Sequence, residues 1–381
     1  MDNTEFYHVF ETSSRERGYK CQHKRKKSLS AFPAFIFIDD QCKIDKDVYG
    51  TCKRIQDCPT ILNEALQGKR SANSPRCGFE KYTEIVCCPL SVNEKLGIRP
   101  AETACHQYEN EIFTSLELEL LNFHVLSGIE ASLGEFPYMA ALGYRTKDDV
   151  NEIRIKYDCG GTIISSRFIL TAAHCVSNIN EHVPILVRLG SVRLDDEGDN
   201  VQEILINNII PHPKYKRSQV YNDIALIKLS KSIKWTTTVK PICLQTKALE
   251  SIDINVNVSL IVAGWGATDI DQDSSMHLMK SPSLKLVPRK DCGESYTGFR
   301  QLPRGLDDKV LCAIDADISR HADTCQGDSG GPFIMRMLTE DIIIGITSFG
   351  QSCGGPTPGV YTSVNAFLDW IEFHVWQESE N

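Results

Sequence analysis

Hydrophobic positions in the last two thirds of the chain fall into short runs separated by turn residues. The stretches 168–171, 203–210 and 224–229 are rich in β-branched and aliphatic residues, and similar runs recur from Met139 onward. Many short strands at close spacing are typical of an all-β sandwich or barrel. The pattern therefore predicts an all-β fold for this region.

The C-terminal end of the chain has a different period. Phe367, Leu368, Ile371 and Val375 recur at the spacing of one helical face. They predict a helix over 365–376 that packs against the β-structure.

The region before the strands is expected to be a linker, over residues 89–124. Pro89, Gly97 and Pro100 are residues that interrupt regular structure. The later stretch 109–121 is acidic and apolar, and it fits either a short helix or an exposed strand.

Composition narrows the function. The 381 residues suffice for two domains, and a formal net charge of −9 argues against general nucleic-acid binding. No apolar run approaches the length of a membrane helix, so we expect neither a nucleic-acid nor a membrane partner.

The number of cysteines indicates the cellular compartment in which the protein works. Fifteen cysteines without any Cys-x-x-Cys pair argue for disulfides and against a metal site. We expect a secreted, extracellular protein with no cofactor and no metal. Residues 1–41 lack a clear leader pattern, and we expect a disordered or degraded signal region there, with Cys21 left over.

Six of the cysteines lie within residues 42–88, which we expect to form a separate small domain. A segment of this length buries little core, so crosslinks must supply its stability. Six cysteines allow fifteen pairings, and spacing alone does not choose among them.

Three further stretches carry chemistry. Gly327-Asp328-Ser329-Gly330-Gly331 is by itself often a surface turn. Upstream, however, His174 follows Thr171-Ala172-Ala173, and Asp223 opens Asp223-Ile224-Ala225-Leu226. A histidine, an aspartate and a serine thus follow one another, each in a distinctive context.

Over residues 125–381 these motifs resemble the chymotrypsin-like serine proteases, in that family's chain order. The resemblance implies two antiparallel six-stranded β-barrels. It also implies a catalytic triad of His174, Asp223 and Ser329, with an oxyanion hole formed by the backbone N–H groups of Gly327 and Ser329.

The spacing of residues 42–88 resembles the clip domain that precedes some arthropod serine proteases. Within that family, the linker cysteine Cys105 and a histidine at the implied cut site, His124, resemble the persephone and snake group. The clip resemblance implies the disulfides Cys42–Cys87, Cys52–Cys77 and Cys58–Cys88. In the protease region, the resemblance to the chymotrypsin-like proteases implies Cys159–Cys175, Cys292–Cys312 and Cys325–Cys353. Cys105 and Cys243 are then without partners, and we expect them to join and to tether the N-terminal segment.

The resemblance also implies specificity. Asp323, six residues before Ser329, matches the acidic floor of a trypsin-like pocket, and Gly350 and Gly359 match its walls. Ser348 would lie on the strand that pairs with the substrate backbone. We therefore expect cleavage after Arg or Lys.

Activation is implied at the bond between His124 and Val125, with the new amino group of Val125 pairing with Asp328. Ser127 stands where the family usually has Gly. Because His124 does not suit a pocket for basic residues, we expect a different, upstream protease to cut this bond.

The expected partners are protein substrates such as downstream zymogens, the activating protease and a serpin-type inhibitor. Two alternatives remain open at this stage. We expect an active trypsin-like endopeptidase made as a zymogen, because no triad residue is lost. The first alternative is a non-catalytic adaptor on the same scaffold, which lost triad residues would favour. The second is a protein whose clip module is the functional part, which a binding assay would test.

Two weaker signals have ordinary explanations. The acidic stretch 195–199 invites a calcium interpretation, but an acidic solvated loop is the more common case. Asn257-Val258-Ser259 is a glycosylation pattern within an apolar, strand-like context.

Overall fold

A computed structural model describes the chain in fourteen stretches: 41–45, 48–70, 74–80, 82–89, 98–115, 129–146, 154–177, 183–252, 258–266, 275–315, 317, 328–338, 340–350 and 356–377. The chain divides into two compact units, Met1–Leu90 and Ser91–Asn381.

The first unit is a small antiparallel sheet with one α-helix, α1 (Pro59–Leu66). Its strands are β1 (Gln41–Asp45), β2 (Val48–Arg54), β3 (Arg76–Glu80) and β4 (Thr83–Pro89), in the spatial order β1-β2-β4-β3.

Crosslinks dominate the first unit. Its buried apolar cluster consists of Cys58, Ile61, Val86 and Cys88. Two of these four residues are disulfide-bonded cysteines. The bridges are Cys42–Cys87, Cys52–Cys77 and Cys58–Cys88, the pairs that the clip resemblance implied. Each such bridge typically stabilises a fold by ~2–4 kcal/mol, which compensates for the small core.

The second unit begins its β-structure with a closed six-stranded barrel. Its strands are β6 (Met139–Thr146), β7 (Arg154–Ser165), β8 (Phe168–Thr171), β9 (Pro184–Leu189), β10 (Gln202–Pro211) and β11 (Ala225–Leu229). Around the ring they follow the order β10-β11-β8-β7-β6-β9. The predicted strands at 168–171, 203–210 and 224–229 correspond to β8, β10 and β11.

A second sheet follows, with six longer strands and three of two residues each. The longer strands are β13 (Ser259–Gly264), β15 (Leu284–Val287), β16 (Val310–Asp315), β17 (Pro332–Arg336), β18 (Asp341–Phe349) and β19 (Gly359–Ser363). The short ones are β5 (Ile129–Glu130), β12 (Cys243–Leu244) and β14 (Met279–Lys280). The order is β15-β16-β19-β18-β17-β13-β14-β5, with β12 alongside β18. The described part of the second unit is thus built mainly of β-strands, in a closed barrel and a second sheet.

Helices are few in the described part of the second unit. They are α2 (Pro100–Ser115), the single turn α3 (Ala173–Val176), α4 (Arg289–Ser295) and α5 (Leu368–Glu372). A 3₁₀ turn (Asn365–Phe367) precedes α5 and a π turn (Phe373–Gln377) follows it. The predicted face of Phe367, Leu368, Ile371 and Val375 is buried in the core.

Pro100 was misjudged in the linker prediction. It begins α2 instead of interrupting structure, because the first turn of a helix needs no backbone N–H from that residue. The disulfides of this unit are Cys105–Cys243, Cys159–Cys175 and Cys292–Cys312, while Cys325 and Cys353 lie outside the described residues. No helix in the described part is long and apolar enough to cross a membrane.

Candidate active site

His174 lies one turn beyond the end of β8. Thr171 ends the strand, and the fully buried Ala172 and Ala173 lead into α3, which carries the histidine. The Cys159–Cys175 disulfide joins this turn to β7. The Tyr144 hydroxyl also donates to the Cys175 carbonyl over 2.9 Å. The backbone of His174 is therefore held on both sides by the barrel.

Asp223 lies just before β11, the strand that pairs with β8. Since Ala225 is opposite Thr171 in that pairing, His174 and Asp223 leave neighbouring strands at the same end of the barrel. Asn222, directly before the aspartate, has φ of 55°, a left-handed conformation that asparagine tolerates better than most residues. The Asp223 side chain is 2% exposed.

Two hydrogen bonds join His174 and Asp223. The backbone N–H of His174 donates to Asp223 Oδ1 over 2.9 Å, and His174 Nδ1 lies 2.8 Å from Asp223 Oδ2. A carboxylate at this position fixes the proton on Nδ1 and leaves the Nε2 lone pair available. The pair thus selects one tautomer of the imidazole.

The charges of the pair shift both pKa values. Burial disfavours the charged imidazolium, but the charge of Asp223 and its hydrogen bond outweigh this and raise the pKa of His174. Burial likewise disfavours the carboxylate. The His174 charge and the hydrogen bonds from His174 and Ser348 outweigh it and lower the pKa of Asp223.

Two hydroxyl groups of the second sheet complete the surroundings of Asp223. Ser348, in β18, donates from Oγ to Asp223 Oδ2 over 2.5 Å, a distance typical of a hydrogen bond to a charged oxygen. Thr362, in β19, donates from Oγ1 to the Asp223 carbonyl over 2.9 Å. The carboxylate therefore joins the barrel to the second sheet.

Ser329 is brought to the same region through its backbone. Its carbonyl accepts the N–H of Gly160, in β7, over 2.8 Å, and the next N–H, of Gly330, donates to the Thr347 carbonyl over 2.9 Å. Gly330 has φ of +76°, and a Cβ there would lie 2.2 Å from Thr171 Oγ1 and 3.1 Å from Cys175 Sγ. Only glycine fits, and the Ser329 turn therefore lies against the segment that carries His174.

A cleft of about 320 Å³ opens at the pair. Its lining consists of His174, Tyr215, Arg217, Val220, Asp223, Gln301, Ser348 and Phe349. The Phe349 ring stacks on Phe299 with a centroid distance of 6.1 Å. The imidazole of His174 is thus held by a buried carboxylate at an open cleft, and the backbone turn of Ser329 lies against the same segment. These are the residue types that nucleophilic attack by a hydroxyl group requires.

Comparison with known proteins decides the family. The family model described as Trypsin matches residues 125–371. The chain is also similar to Serine protease snk of Drosophila melanogaster, at 35% identity over 85% of this chain and 75% of the relative. CLIP domain-containing serine protease B4 of Anopheles gambiae is 31% identical over 88% of each chain. Phenoloxidase-activating factor 3 of Holotrichia diomphalia is 35% identical over 89% of this chain and 95% of its own.

The chain is a clip-domain serine protease. It belongs to the trypsin family, and as such it is a serine endopeptidase, a hydrolase of peptide bonds. The family model begins at Val125, the residue at which the sequence analysis placed the start of the protease domain.

Asp328 of this protease lies in a cradle of glycine backbone. Its Oδ1 accepts the N–H of Gly266 over 2.9 Å. A Cβ on Gly264 or Gly266 would come within 2.1 or 2.5 Å of the Asp328 carboxyl group. The carboxylate is therefore fixed against β13 by positions that accept no side chain.

Several predicted site residues of the protease are outside the described part of the chain. They are Asp323, Gly327, His124, Val125 and the neighbouring Ser127. Of the predicted pocket residues, Gly350 directly follows β18 and Gly359 begins β19. The acceptor Asn257 is likewise outside the described residues.

The sequence analysis missed three features of the site. It assigned Ser348 to substrate pairing, whereas the Ser348 hydroxyl also binds Asp223. It gave no role to Thr362 or to the backbone conformation of Asn222. An Asn before the aspartate was a usable signal for the left-handed turn, but no local pattern marks the two hydroxyl groups. In the acidic loop, Asp195 is paired with Arg193 through two hydrogen bonds.

Proposed function

We propose that this protease is the zymogen of a trypsin-like endopeptidase that cuts protein substrates after Arg or Lys, with Ser329 as nucleophile and His174 as its base. The observation that carries the proposal is the two-point hydrogen bonding between His174 and Asp223, which holds the imidazole by backbone and ring together. A base fixed in this way needs no reorganisation when the proton moves.

In the proposed reaction, His174 Nε2 takes the proton of the Ser329 hydroxyl while Oγ attacks the carbonyl carbon of the scissile bond. The oxygen of the resulting tetrahedral intermediate receives hydrogen bonds from the N–H groups of Gly327 and Ser329. The imidazolium, stabilised by Asp223, then gives its proton to the leaving amine. Water repeats these steps on the acyl-enzyme and releases the second product.

Specificity is proposed to come from Asp323 at the floor of the pocket, between walls at Gly350 and Gly359. A carboxylate in such a pocket loses solvation and is compensated only by a cationic side chain. If an apolar side chain forfeits about 3 kcal/mol of this compensation, Arg substrates should be cut about a hundredfold faster than Phe substrates.

Peptide amides that differ only in Arg, Lys, Phe or Leu before the scissile bond test this specificity, with kcat/KM as the readout. Asp323→Ser is the matched variant, and it should lose the preference for basic residues while its fold is kept. Faster cleavage after Phe or Leu by the unaltered enzyme would contradict the pocket assignment.

Activation is proposed to follow cleavage between His124 and Val125, after which the Val125 ammonium pairs with Asp328. The glycine cradle around Asp328 supports this, because a fixed carboxylate presents a ready partner for a newly formed cation. The α-amino group has a pKa near ~8 when free, and pairing raises it. The active conformation is thus favoured below the unpaired value and is lost as the pH rises through the paired one.

Amino-terminal sequencing of the heavy chain tests the junction and should begin at Val125. Equal activity of intact and cut protein would contradict zymogen activation. Because His124 is not a basic residue of the Arg or Lys kind, purified zymogen alone should cut itself slowly, and rapid self-cleavage at this bond would show that no upstream protease is needed.

The proposed setting is an extracellular proteolytic cascade of immunity, the Toll pathway or melanisation, with secretion of the chain. The name of the relative Phenoloxidase-activating factor 3 supports a role in activating other proteins. The partners would be a downstream zymogen, an activating protease and a serpin-type inhibitor. Incubating the active enzyme with haemolymph proteins of the source species and sequencing the new amino termini would identify the substrate class.

A further inference from the structure

The linker helix α2 is attached to the rest of the second unit by more than its disulfide. Arg99, just before the helix, faces two carboxylates of α5. Its Nε lies 3.2 Å from Glu372 Oε1 and its Nη2 lies 2.7 Å from Glu372 Oε2, while Nη2 also contacts Asp369. The Glu372 side chain is 5% exposed and that of Asp369 is 93% exposed. The interaction with Glu372 is therefore the buried one.

Glu372 depends on the linker for its hydrogen bonds. Besides the two from Arg99, Oε1 accepts the backbone N–H of Ala101 over 3.1 Å. Within the described residues, the side-chain hydrogen bonds of Glu372 all come from positions 99 and 101. Arg99 and Ala101 therefore supply the partners that a carboxylate of 5% exposure requires.

One face of α2 continues this contact. Ala101, Ala104, Cys105 and Tyr108 lie at positions i, i+3, i+4 and i+7, which share a helical face. Ala101 and Ala104 are each 3% exposed, and Ala101 is part of the main hydrophobic core.

One aromatic contact and one side-chain hydrogen bond also join the linker to the protease body. The Tyr108 ring packs edge-on to Trp235 with centroids 6.2 Å apart. Glu102 accepts the Thr246 hydroxyl over 2.7 Å and the Arg99 N–H over 3.3 Å. Apolar burial, an ion pair and hydrogen bonds accepted by carboxylate oxygens thus act together over a single stretch of the linker.

We infer that residues 99–108 form a non-covalent interface with the protease body that holds without the Cys105–Cys243 disulfide. The occupant of this surface on α5, β12 and Trp235 is the chain's own N-terminal segment. Once the chain is cut, the N-terminal part remains bound as a subunit even under reducing conditions. That consequence for the mature enzyme rests on the proposed activation, whereas the interface itself does not.

The test uses the full chain with Cys105→Ser and Cys243→Ser, and with a recognition sequence for a site-specific protease placed within residues 116–123. After this engineered cut, gel filtration under native conditions should show the N-terminal chain co-eluting with the protease. Separation of the two chains in this background would overturn the proposal. Because the cut does not use the bond after His124, the result is independent of the proposed activation site and of catalysis.

Substitutions in the same disulfide-free background locate the interface. Arg99→Ala should raise the dissociation constant of the N-terminal chain at least about tenfold, since it leaves Glu372 buried with one partner (about 1.4 kcal/mol per tenfold change). Arg99→Lys should have an intermediate effect because it keeps the charge without the planar fork. Arg145→Ala, at an exposed arginine of the barrel, is the matched control and should change nothing.

Thermal unfolding of the uncut chain shows whether each variant is folded and how much stability it loses. Arg99→Ala should lower the Tm, and adding Glu372→Gln should restore part of the loss because the stranded charge is removed. Additive losses in the double variant, or an Arg99→Ala variant with unchanged Tm and unchanged co-elution, would show that the ion pair does not hold the linker.

Discussion

The closed barrel and the second sheet contribute different parts of the active site. The barrel supplies the charged pair, with His174 after β8 and Asp223 before β11, at the same end of two paired strands. The second sheet supplies the Ser329 turn before β17 and the two hydroxyl groups that bind Asp223. The charged pair therefore belongs to one half of the protease, while the other half binds Asp223 and supplies Ser329, the proposed nucleophile. Substitutions on each side of this division measure what each half contributes.

The largest effect is expected from the second sheet's contribution, Ser329→Ala. Removing the hydroxyl should lower kcat by on the order of a millionfold, because no other group on either side replaces the nucleophile. Turnover of a basic peptide amide by the cut enzyme measures this. Ser230→Ala, at an exposed serine of the barrel half, is the control and should retain full activity. Near-normal turnover by the Ser329 variant would end the assignment.

The matching change in the barrel half is Asp223→Asn, for which we expect kcat to fall by about ten-thousandfold. The amide removes the charge that stabilises the imidazolium and no longer selects the tautomer with the proton on Nδ1. A loss as large as that of the serine variant would mean that the aspartate also holds Ser329 in place. A loss below tenfold would remove Asp223 from the mechanism.

The pH dependence separates charge from structure in the same pair. Since Asp223 raises the pKa of His174, kcat/KM of the unaltered enzyme should fall with decreasing pH through a value above ~6.5, the ordinary histidine pKa. In Asp223→Asn that value should move lower. If the pH at half-maximal kcat/KM is the same in Asp223→Asn, the loss of activity at low pH is caused by a group other than His174.

Stability has the opposite pH dependence. The raised His174 pKa stabilises the fold below the unfolded-state pKa of histidine and ceases to do so as the pH rises through the folded value. The lowered pKa of Asp223 stabilises the fold above the unfolded-state pKa of aspartate. This stabilisation is lost as the pH falls through the folded-state pKa of Asp223. The Tm deficit of Asp223→Asn should therefore be greatest in mildly acidic solution, between those limits.

A smaller effect is expected where the two halves meet. Ser348→Ala removes a hydrogen bond to a charged group, worth ~1.5–3 kcal/mol, so kcat/KM should fall by about ten- to a hundredfold. Thr362→Val removes a bond to a neutral carbonyl and should cost less, about 1 kcal/mol in unfolding free energy. If the threonine variant loses more activity than the serine variant, the backbone position of Asp223 matters more than its charge.

How much of the candidate site the sequence predicts depends on how far apart in the chain the interacting residues are. Local motifs predict His174, Asp223 and Ser329 as candidate site residues, and helical spacing identifies the buried face at Phe367 and Ile371. Ser348 is 125 residues from Asp223, and its hydroxyl is aimed by strand pairing in the second sheet. No local pattern carries that information.

The linker was harder to predict for a different reason. Arg99 and Glu372 are 273 residues apart, and neither belongs to a motif. The helical face of Ala101, Ala104, Cys105 and Tyr108 was visible in the sequence, but it lies in a stretch that Pro100 marks as irregular. Small alanines also give a weak hydrophobic period, so the pattern did not outweigh the proline.

The smallest expected effect concerns the turn that presents Asp223. Asn222 holds φ of 55°, and its carbonyl accepts the Ile224 N–H over 2.9 Å across the aspartate. Asn222→Val should destabilise the protease by about 1–2 kcal/mol, because a β-branched side chain is strained in the left-handed region. Asn222→Gly should be nearly neutral, since glycine adopts this conformation freely. Chemical denaturation of both variants measures the difference. If the valine variant keeps its stability but loses activity, the strain has been relieved by moving Asp223 away from His174, and the barrel half then depends on this single turn for its charged pair.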